Sequence, residues 1–504
     1  MYLILLFIAI ICLVIWFQVK WRSVRRFWAL RGVPHHPPHP IFGSLTFLQR
    51  KNPVSIAVWM RQMYNDFKSP YVGMWLFWRA GLVVNCPDIA RRVLVKDHDL
   101  FRNRFLSSGK TDPVGALNLF TVNDPTWSYI RRRLTPLFTA SKLRSLNGLI
   151  QEKAGDLVQR VLNENRNKNL IDLRALSVDY TTDVIGEAAF GVKSEATRTG
   201  DSTMRRITRE FMSFDLYRGL CWSTIFFFPE LVDIFRFKFF PRKSLGSLRK
   251  IFRTVIDRRG GYHAKIKENK DLLEALVKMK QEALVDNEDI SEDMLLAQAA
   301  VFLLGGFDTS GITLTWCLYE LAWNPHCQER LYNEVLKAKE SIGGKELDVT
   351  TLAELTYLNC VVNETLRKYP TMGWLDRIAS KDYKVDDSLT ILAGTVVYVN
   401  AAGIQMDPEY FPEPHVFEPE RFLPENERKI TPYTFMPFGE GPRNCIGKRF
   451  AYQSLRSAIA SLVLNYELRT LPNSTRPNEC QIEKKGLFLA PEAKLSLQFI
   501  PREY

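Results

Sequence analysis

Along most of the 504 residues, apolar side chains recur every third or fourth position, the spacing of helices that bury one face. This pattern dominates from about 125 to 370, while short β-type runs near 71–84, near 387–399 and in the C-terminal "KLSLQFI" predict strands. The expected fold is mainly α with a minor β-sheet region. Two helices break the one-faced pattern. Residues Met1–Val19, "MYLILLFIAIICLVIWFQV", contain no charge. At ~1.5 Å per residue they span roughly 28 Å, about one bilayer, and so predict one N-terminal transmembrane helix. A cationic start and a small-residue cleavage site are both missing, which favours a retained anchor over a signal peptide. The second exception runs from Ser291, a capping residue, through Glu292 and Asp293 in the first turn to Trp323 before "NP". It is apolar on most faces and is expected to cross the core. Its middle, "LLGGFDTSG", holds three glycines, each costing about 1 kcal/mol against alanine, and sets Asp308, Thr309 and Ser310 between apolar flanks. A defect of that kind in a central helix points to a cavity against it.

Charge adds a direction to the anchor. Residues 1–65 hold eight Lys or Arg and no acid, so of the net charge of +13 only +5 belongs to the other 439 residues. Lys20, Arg22, Arg25, Arg26 and Arg31 follow the apolar run, and the positive-inside rule then keeps the rest of the chain cytosolic. The excess reads as attraction to a membrane surface, and no motif for nucleic acid is found. Residues 20–43, basic and then proline-rich ("GVPHHPPHP"), read as a stiff linker, and 44–504 as the catalytic domain. His35, His36 and His39 could hold a metal, but the linker reading explains them more simply.

The eight cysteines show no C-x-x-C and no zinc-finger spacing, which argues against zinc and against a disulfide framework. One of them lies in "FMPFGEGPRNCIGKRFA", 435–451, ahead of a helical pattern. A dinucleotide loop fails there because Asn444 stands where the third glycine belongs. A redox thiol would gain from Arg443, Lys448 and the helix N-terminus, but no resolving cysteine is near in sequence. The glycines suit a backbone that approaches something flat and large, and a thiolate ligand of haem iron explains more of the residues. On another helix, "LTYLNCVVNETLRKYP", Glu364 and Arg367 lie at i, i+3, as either a solvated pair or a buried one.

At this point the chain resembles the cytochrome P450 haem-thiolate monooxygenases. Their cysteine-loop pattern Phe-x-x-Gly-x-Arg-x-Cys-x-Gly is matched at Phe438, Gly441, Arg443, Cys445 and Gly447, with "GGFDTS" at 305–310, "ETLR" at 364–367, "PERF" at 419–422 and "WSYIR" at 127–131 in the family's order. "RGVP", "LTPLFT" and the full cysteine loop are most similar to insect family-six enzymes and their vertebrate family-three relatives. The resemblance implies haem b held by Cys445 as axial ligand, with Phe438 shielding the sulfur. Trp127, Arg131, Arg377 and Arg443 are then partners of the haem propionates, and Glu364, Arg367 and Arg421 a buried structural triad. Asp308 and Thr309 become the proton relay of oxygen activation, and Leu117, Leu119, Phe120, Phe307, Trp374, Leu487 and Phe488 the substrate pocket.

The same resemblance implies insertion of one atom of O2 into a lipophilic small molecule, an insecticide or plant toxin being the favoured kind, on the endoplasmic reticulum membrane. No NADPH or flavin motif is visible, so electrons must come from a partner: the NADPH-dependent P450 reductase, with cytochrome b5 as a second candidate. Arg132, Arg133, Lys448 and Arg449 are a candidate docking face for it. "FFFPELVDIFRFKFFPRK", 226–243, interleaves aromatic and basic residues and is expected to touch the membrane. "YPTMGWLDR" carries Thr371 and Gly373 where relatives commonly have prolines, which leaves a dedicated hormone or lipid hydroxylase as the second reading. A haem protein that only senses a diatomic gas is the reading from another class, and it has little use for Asp308 and Thr309.

Overall fold

The computed structural model describes residues 2–46, 54–264, 271–285, 288, 290–484 and 486–503. The helix Glu292–Trp323 starts where its cap predicts: the Ser291 hydroxyl accepts from the Met294 N–H at 3.2 Å, and the helix stops before Asn324 and Pro325. It runs through the main core, and most of its side chains are buried. The helix Leu173–Phe190 packs closely along it. Small residues allow this approach, since a Cβ on Gly306 would fall 2.5 Å from Ile185 Cγ1 and one on Gly311 2.8 Å from Val178 Cγ2. Gly306 and Gly311 therefore serve helix packing, Gly306 while also lining an internal cavity beside Gly305. Of the three glycines that signalled a cavity, only Gly305 faces open space.

The expected strands form small sheets. Tyr71–Leu76 pairs antiparallel with Arg79–Val84, which runs parallel to Val396–Val399, which pairs antiparallel with Leu375–Ile378. The register sets Arg377 opposite Val397. Ser496–Pro501 lies between Tyr466–Thr470 and the short strand Ile171–Asp172.

The N-terminal helix, Tyr2–Arg26, runs seven residues past the uncharged stretch. Its apolar side chains are exposed up to Val19. Its last turns dock on the four-stranded sheet: Trp75 Nε1 donates to the Val24 carbonyl at 3.1 Å, and Trp28 Nε1 to that of Met74 at 2.9 Å. Trp16, Phe17 and Trp21 gather around Trp78. The segment that reads as a stiff spacer is in fact packed on the sheet. Val33 is buried, the Gly73 N–H donates to the Pro34 carbonyl at 2.8 Å, and the His35 ring meets the Trp75 ring edge-on at 5.2 Å. Indole and valine surface outweighs proline stiffness here, because each large apolar side chain covered is worth roughly 1.5–3 kcal/mol. The three linker histidines do not converge, and among the described residues no group of three or more His, Cys, Asp or Glu could hold a metal ion.

The segment 226–243 is divided by burial. Phe226, Phe227, Phe239 and Phe240 belong to the core, whereas Ile234 and Phe235 are exposed, as are Leu216, Tyr217 and Leu220 on the preceding helix Leu216–Phe227.

Candidate active site

The cysteine loop is built by its own backbone. The Cys445 N–H donates to the Phe438 carbonyl at 2.8 Å, and those of Gly439 and Asn444 donate to Met436 and Gly441 at 3.0 and 3.1 Å. Gly439 and Gly441 have φ of +69° and +73°, and a Cβ on Gly441 would lie 1.9 Å from the Leu94 carbonyl oxygen. Only glycine fits there. The loop feeds the helix Lys448–Asn465, and Phe438 packs against Tyr452 of that helix at 5.3 Å. Cys445 is deep in the protein yet exposed, because it opens onto an internal cavity. Burial raises the thiol above its ordinary pKa, opposed by the Gly447 N–H and by the charges of Arg131, Arg104 and Lys448.

That cavity measures about 300 Å³. Phe438, Cys445, Gly447 and Phe450 form one side, and Val301, Gly305, Thr309 and Thr313 of the central helix another. Phe302, Leu304, Gly306 and Ser310 of the same helix line the cavity as well, so a broad face of the helix is turned to it. Phe307 comes two residues after Gly305, about 200° round the helix at 100° per residue, and it is buried elsewhere, its carbonyl accepting from Thr181 Oγ1 at 2.7 Å. Of the pocket candidates, Leu119, Phe120 and Phe488 are in the wall, and Leu117, Phe307, Trp374 and Leu487 stand outside it. Trp222 and Phe226, stacked at 5.5 Å, add to the wall, Trp222 unmarked in the sequence and Phe226 expected instead as part of a membrane-touching segment.

Four guanidinium groups collect at the cavity and beside it. Arg104, Arg131 and Arg443 line it, and Arg377 on its strand is close enough to depress the Arg443 pKa. Arg131 donates to the Asn444 carbonyl and side chain at 3.0 and 2.9 Å, and the Arg443 guanidinium lies over the Trp127 ring at 4.2 Å. Asn123 Oδ1 accepts from the backbone N–H of Arg104 at 2.9 Å and from Arg443 Nη2 at 3.3 Å. Among the described residues, the carboxylate paired with the cluster is Asp376, 3.9 Å from Arg104. Burial pulls Arg443 down to about 9 and Arg377 to about 10, and the neighbouring guanidinium groups add to it. Arg104 Nε and Arg443 Nε have no partner among the described residues. Buried cations in this excess call for an anion. The two carboxylates of haem b would supply that charge, and the cysteine opening onto the same cavity could supply an iron ligand, so the residues fit the group.

Asp308 and Thr309 part company. Thr309 is in the cavity wall, its hydroxyl donating to the Gly305 carbonyl at 2.5 Å. Asp308 is buried outside it, Oδ1 accepting from Arg174 Nη2 at 2.9 Å while Oδ2 has no partner among the described residues. Burial raises its pKa, and Arg174 opposes the rise.

Glu364 and Arg367 are fully buried and bidentate, with Nε to Oε2 at 2.7 Å and Nη2 to Oε1 at 2.8 Å. Arg421 Nε comes within 3.5 Å of Glu364 Oε1. Gln405 extends this group toward the cysteine loop. It donates to the Arg367 carbonyl at 2.9 Å and accepts from the Met436 N–H at 2.8 Å. Gln405 was not singled out in the sequence, where it stands amid "AGIQMDP" with no spacing to mark it.

The fold and the cysteine cavity together define a haem-thiolate enzyme, and the sequence model of the cytochrome P450 family matches residues 33–499. The chain belongs to that family. It is 34% identical over 495 residues to cytochrome P450 6k1 of Blattella germanica, covering 94% of this chain and 93% of the relative. Cytochrome P450 6l1 of the same insect is 32% identical over 480 residues, covering 94% and 92%. Cytochrome P450 6a2 of Drosophila melanogaster is 32% identical over 467 residues, covering 90% and 91%. These relatives are insect family-six members, and the protein is a monooxygenase that uses haem b, O2 and electrons passed from NADPH through a reductase.

Proposed function

We propose that this monooxygenase clears lipophilic foreign compounds, and that Cys445 would supply the thiolate ligand of haem iron, with Phe438 shielding its sulfur and Gly447 directing an N–H toward it. The observation that carries the reading is one cavity bounded by Cys445, by Thr309 and by an unbalanced guanidinium cluster. When bound, haem b supplies the activation of dioxygen and the transfer of one oxygen atom, the other leaving as water. The chain's part is to seat and orient. Arg131, Arg377 and Arg443, with Trp127 stacked beneath Arg443, hold the propionates, and we add Arg104 to that set. Leu119, Phe120, Trp222, Phe226 and Phe488 receive the substrate by apolar and aromatic contact, a surface tolerant of many lipophiles. Thr309 has its hydrogen committed to Gly305, which leaves its lone pairs to hold a water in the cavity. Asp308, tied to Arg174, is the proton source behind it.

Thr309→Ala tests this assignment. Haem content and substrate-induced spectral change should stay near wild type, while product formed per NADPH falls tenfold or more, on the scale of ~10²–10⁴ for general acid–base groups, and hydrogen peroxide accumulates. An unchanged ratio would make Thr309 a wall residue only and shift the relay to Asp308.

The protein would sit on the endoplasmic reticulum membrane with its catalytic domain in the cytosol. The exposed apolar helix Tyr2–Arg26 and its flanking cations support this, with Ile234, Phe235, Leu216 and Leu220 as a second contact. Deleting residues 1–19 should leave a measurable fraction on microsomes at low salt. Complete release would remove the second contact from the scheme. The electron donor would be the NADPH–cytochrome P450 reductase, assisted by cytochrome b5. Arg132, Lys448 and Arg449 are exposed for such docking, whereas Arg133 is engaged by Glu288 at 3.7 Å and lies over the Tyr129 ring.

A further inference from the structure

A second, smaller cavity of about 60 Å³ backs onto the main one. Phe138, Ile185, Phe302 and Phe450 are in the walls of both, so these side chains are the partition. The rings of Phe138 and Phe302 stand 5.3 Å apart, tilted by 50°. Behind them the chamber is walled by Leu143, Ala188, Ala189 and Leu272, all buried. Its polar residues, Lys142, Ser145 and Asp271, are partly or fully exposed, and Asp271 is engaged by Arg259 at 2.6 Å. The chamber thus leads from the surface to the back of the haem cavity.

Size and chemistry restrict what it can hold. At about 60 Å³ against about 300 Å³ for the main cavity, the chamber is about a fifth of its size, which suits a molecule much smaller than a lipophilic substrate. Water needs two to four polar partners to stay, and the inner wall of alkyl and phenyl groups offers none. Apolar cavities of this kind remain dry and take up gases such as xenon. Among the reactants of a monooxygenase, the molecule that is both small and apolar is dioxygen.

We propose that this chamber is a docking and entry site for dioxygen, which passes the Phe138–Phe302 partition into the main cavity. Two alanines on the helix Leu173–Phe190 make the space, and a larger side chain at either would fill it. Such a side entrance admits oxygen when a bound substrate obstructs the main cavity. Docking stands on the geometry of the chamber alone, whereas delivery rests on the monooxygenase reading above.

The test uses the ferric holoprotein under xenon pressure, followed by ¹²⁹Xe NMR or by xenon density in crystals. Xenon is expected between Phe138, Ala189 and Leu272, and Ala189→Leu should abolish it. Gas entry is then read by flash photolysis of the ferrous carbon monoxide complex with a bulky substrate bound. The bimolecular rebinding rate should fall threefold or more in Ala189→Leu, and likewise in wild type saturated with xenon, which keeps the test decisive if the variant folds poorly. A wild-type chamber that takes up no xenon overturns the docking site. Xenon bound there with rebinding rates unchanged overturns delivery. A carbon monoxide complex without thiolate character would instead count against the ligand assignment, and the xenon result would stand apart from it.

Discussion

Cys445→Ser is expected to abolish the thiolate-type absorption of the reduced carbon monoxide complex and to take product formation below detection. A serine hydroxyl has nearly the same shape as the thiol but cannot donate comparable electron density to iron. The loop should survive the change. Its hydrogen bonds run through the backbone, from Cys445 N–H to Phe438 and from Asn444 N–H to Gly441, and none depends on sulfur. The guanidinium cluster and the aromatic wall are also untouched, so the variant is expected to bind some haem while losing its spectral signature. That combination separates loss of a ligand from loss of a pocket. Cys445 is the one cysteine in the cavity wall among the described residues, so retention of the thiolate spectrum would leave no substitute ligand and would refute the assignment.

Local signals proved legible wherever a single stretch determines its own geometry. The Ser291 cap and the Asn324–Pro325 stop bound the central helix as expected. The glycines of the cysteine loop read as backbone that approaches a neighbour closely, and Gly441 does so against the Leu94 carbonyl. What stayed hidden depends on which distant segments meet. Arg104 in "FRNRF" looks like any surface cation beside an aromatic residue. It reaches the cluster because the Ile378 N–H donates to Asn103 and the Phe105 N–H to Asp376, contacts across more than 270 residues. Asp308 and Thr309, adjacent in sequence, are about 100° apart on the helix. Only the position of Arg174 on the neighbouring helix decides that the acid turns from the cavity while the hydroxyl remains in its wall. Glycine carried two messages at once: Gly305 and Gly306 do line the cavity, while Gly306 and Gly311 also make room for Ile185 and Val178.

Glu364→Ala should destabilise the fold by about 3–5 kcal/mol, the usual cost of stranding a buried charge, out of a total that is typically ~5–15 kcal/mol. Arg367 would be the stranded charge. Its side chain is fully buried, and without Glu364 its acceptors among the described residues are neutral: the carbonyls of Gln405, Pro414 and Val416 at 3.0, 2.8 and 3.4 Å and the Met406 sulfur at 3.6 Å. The Glu418 N–H, 3.0 Å from Glu364 Oε1, would lose its acceptor as well. Damage should then pass along Gln405, which is bonded to Arg367 on one side and to Met436 on the other, nine residues before Cys445. Haem retention is therefore expected to fall together with the denaturation midpoint. Adding Arg367→Leu removes the stranded charge and should recover part of the stability. Recovery stays incomplete, because the Gln405 and Pro414 carbonyls then lack their donor. If Glu364→Ala keeps both a wild-type midpoint and full haem content, the pair contributes little and the path through Gln405 does not support the cysteine loop. If the midpoint falls while haem is retained, the pair holds the helix alone and the loop is supported from elsewhere.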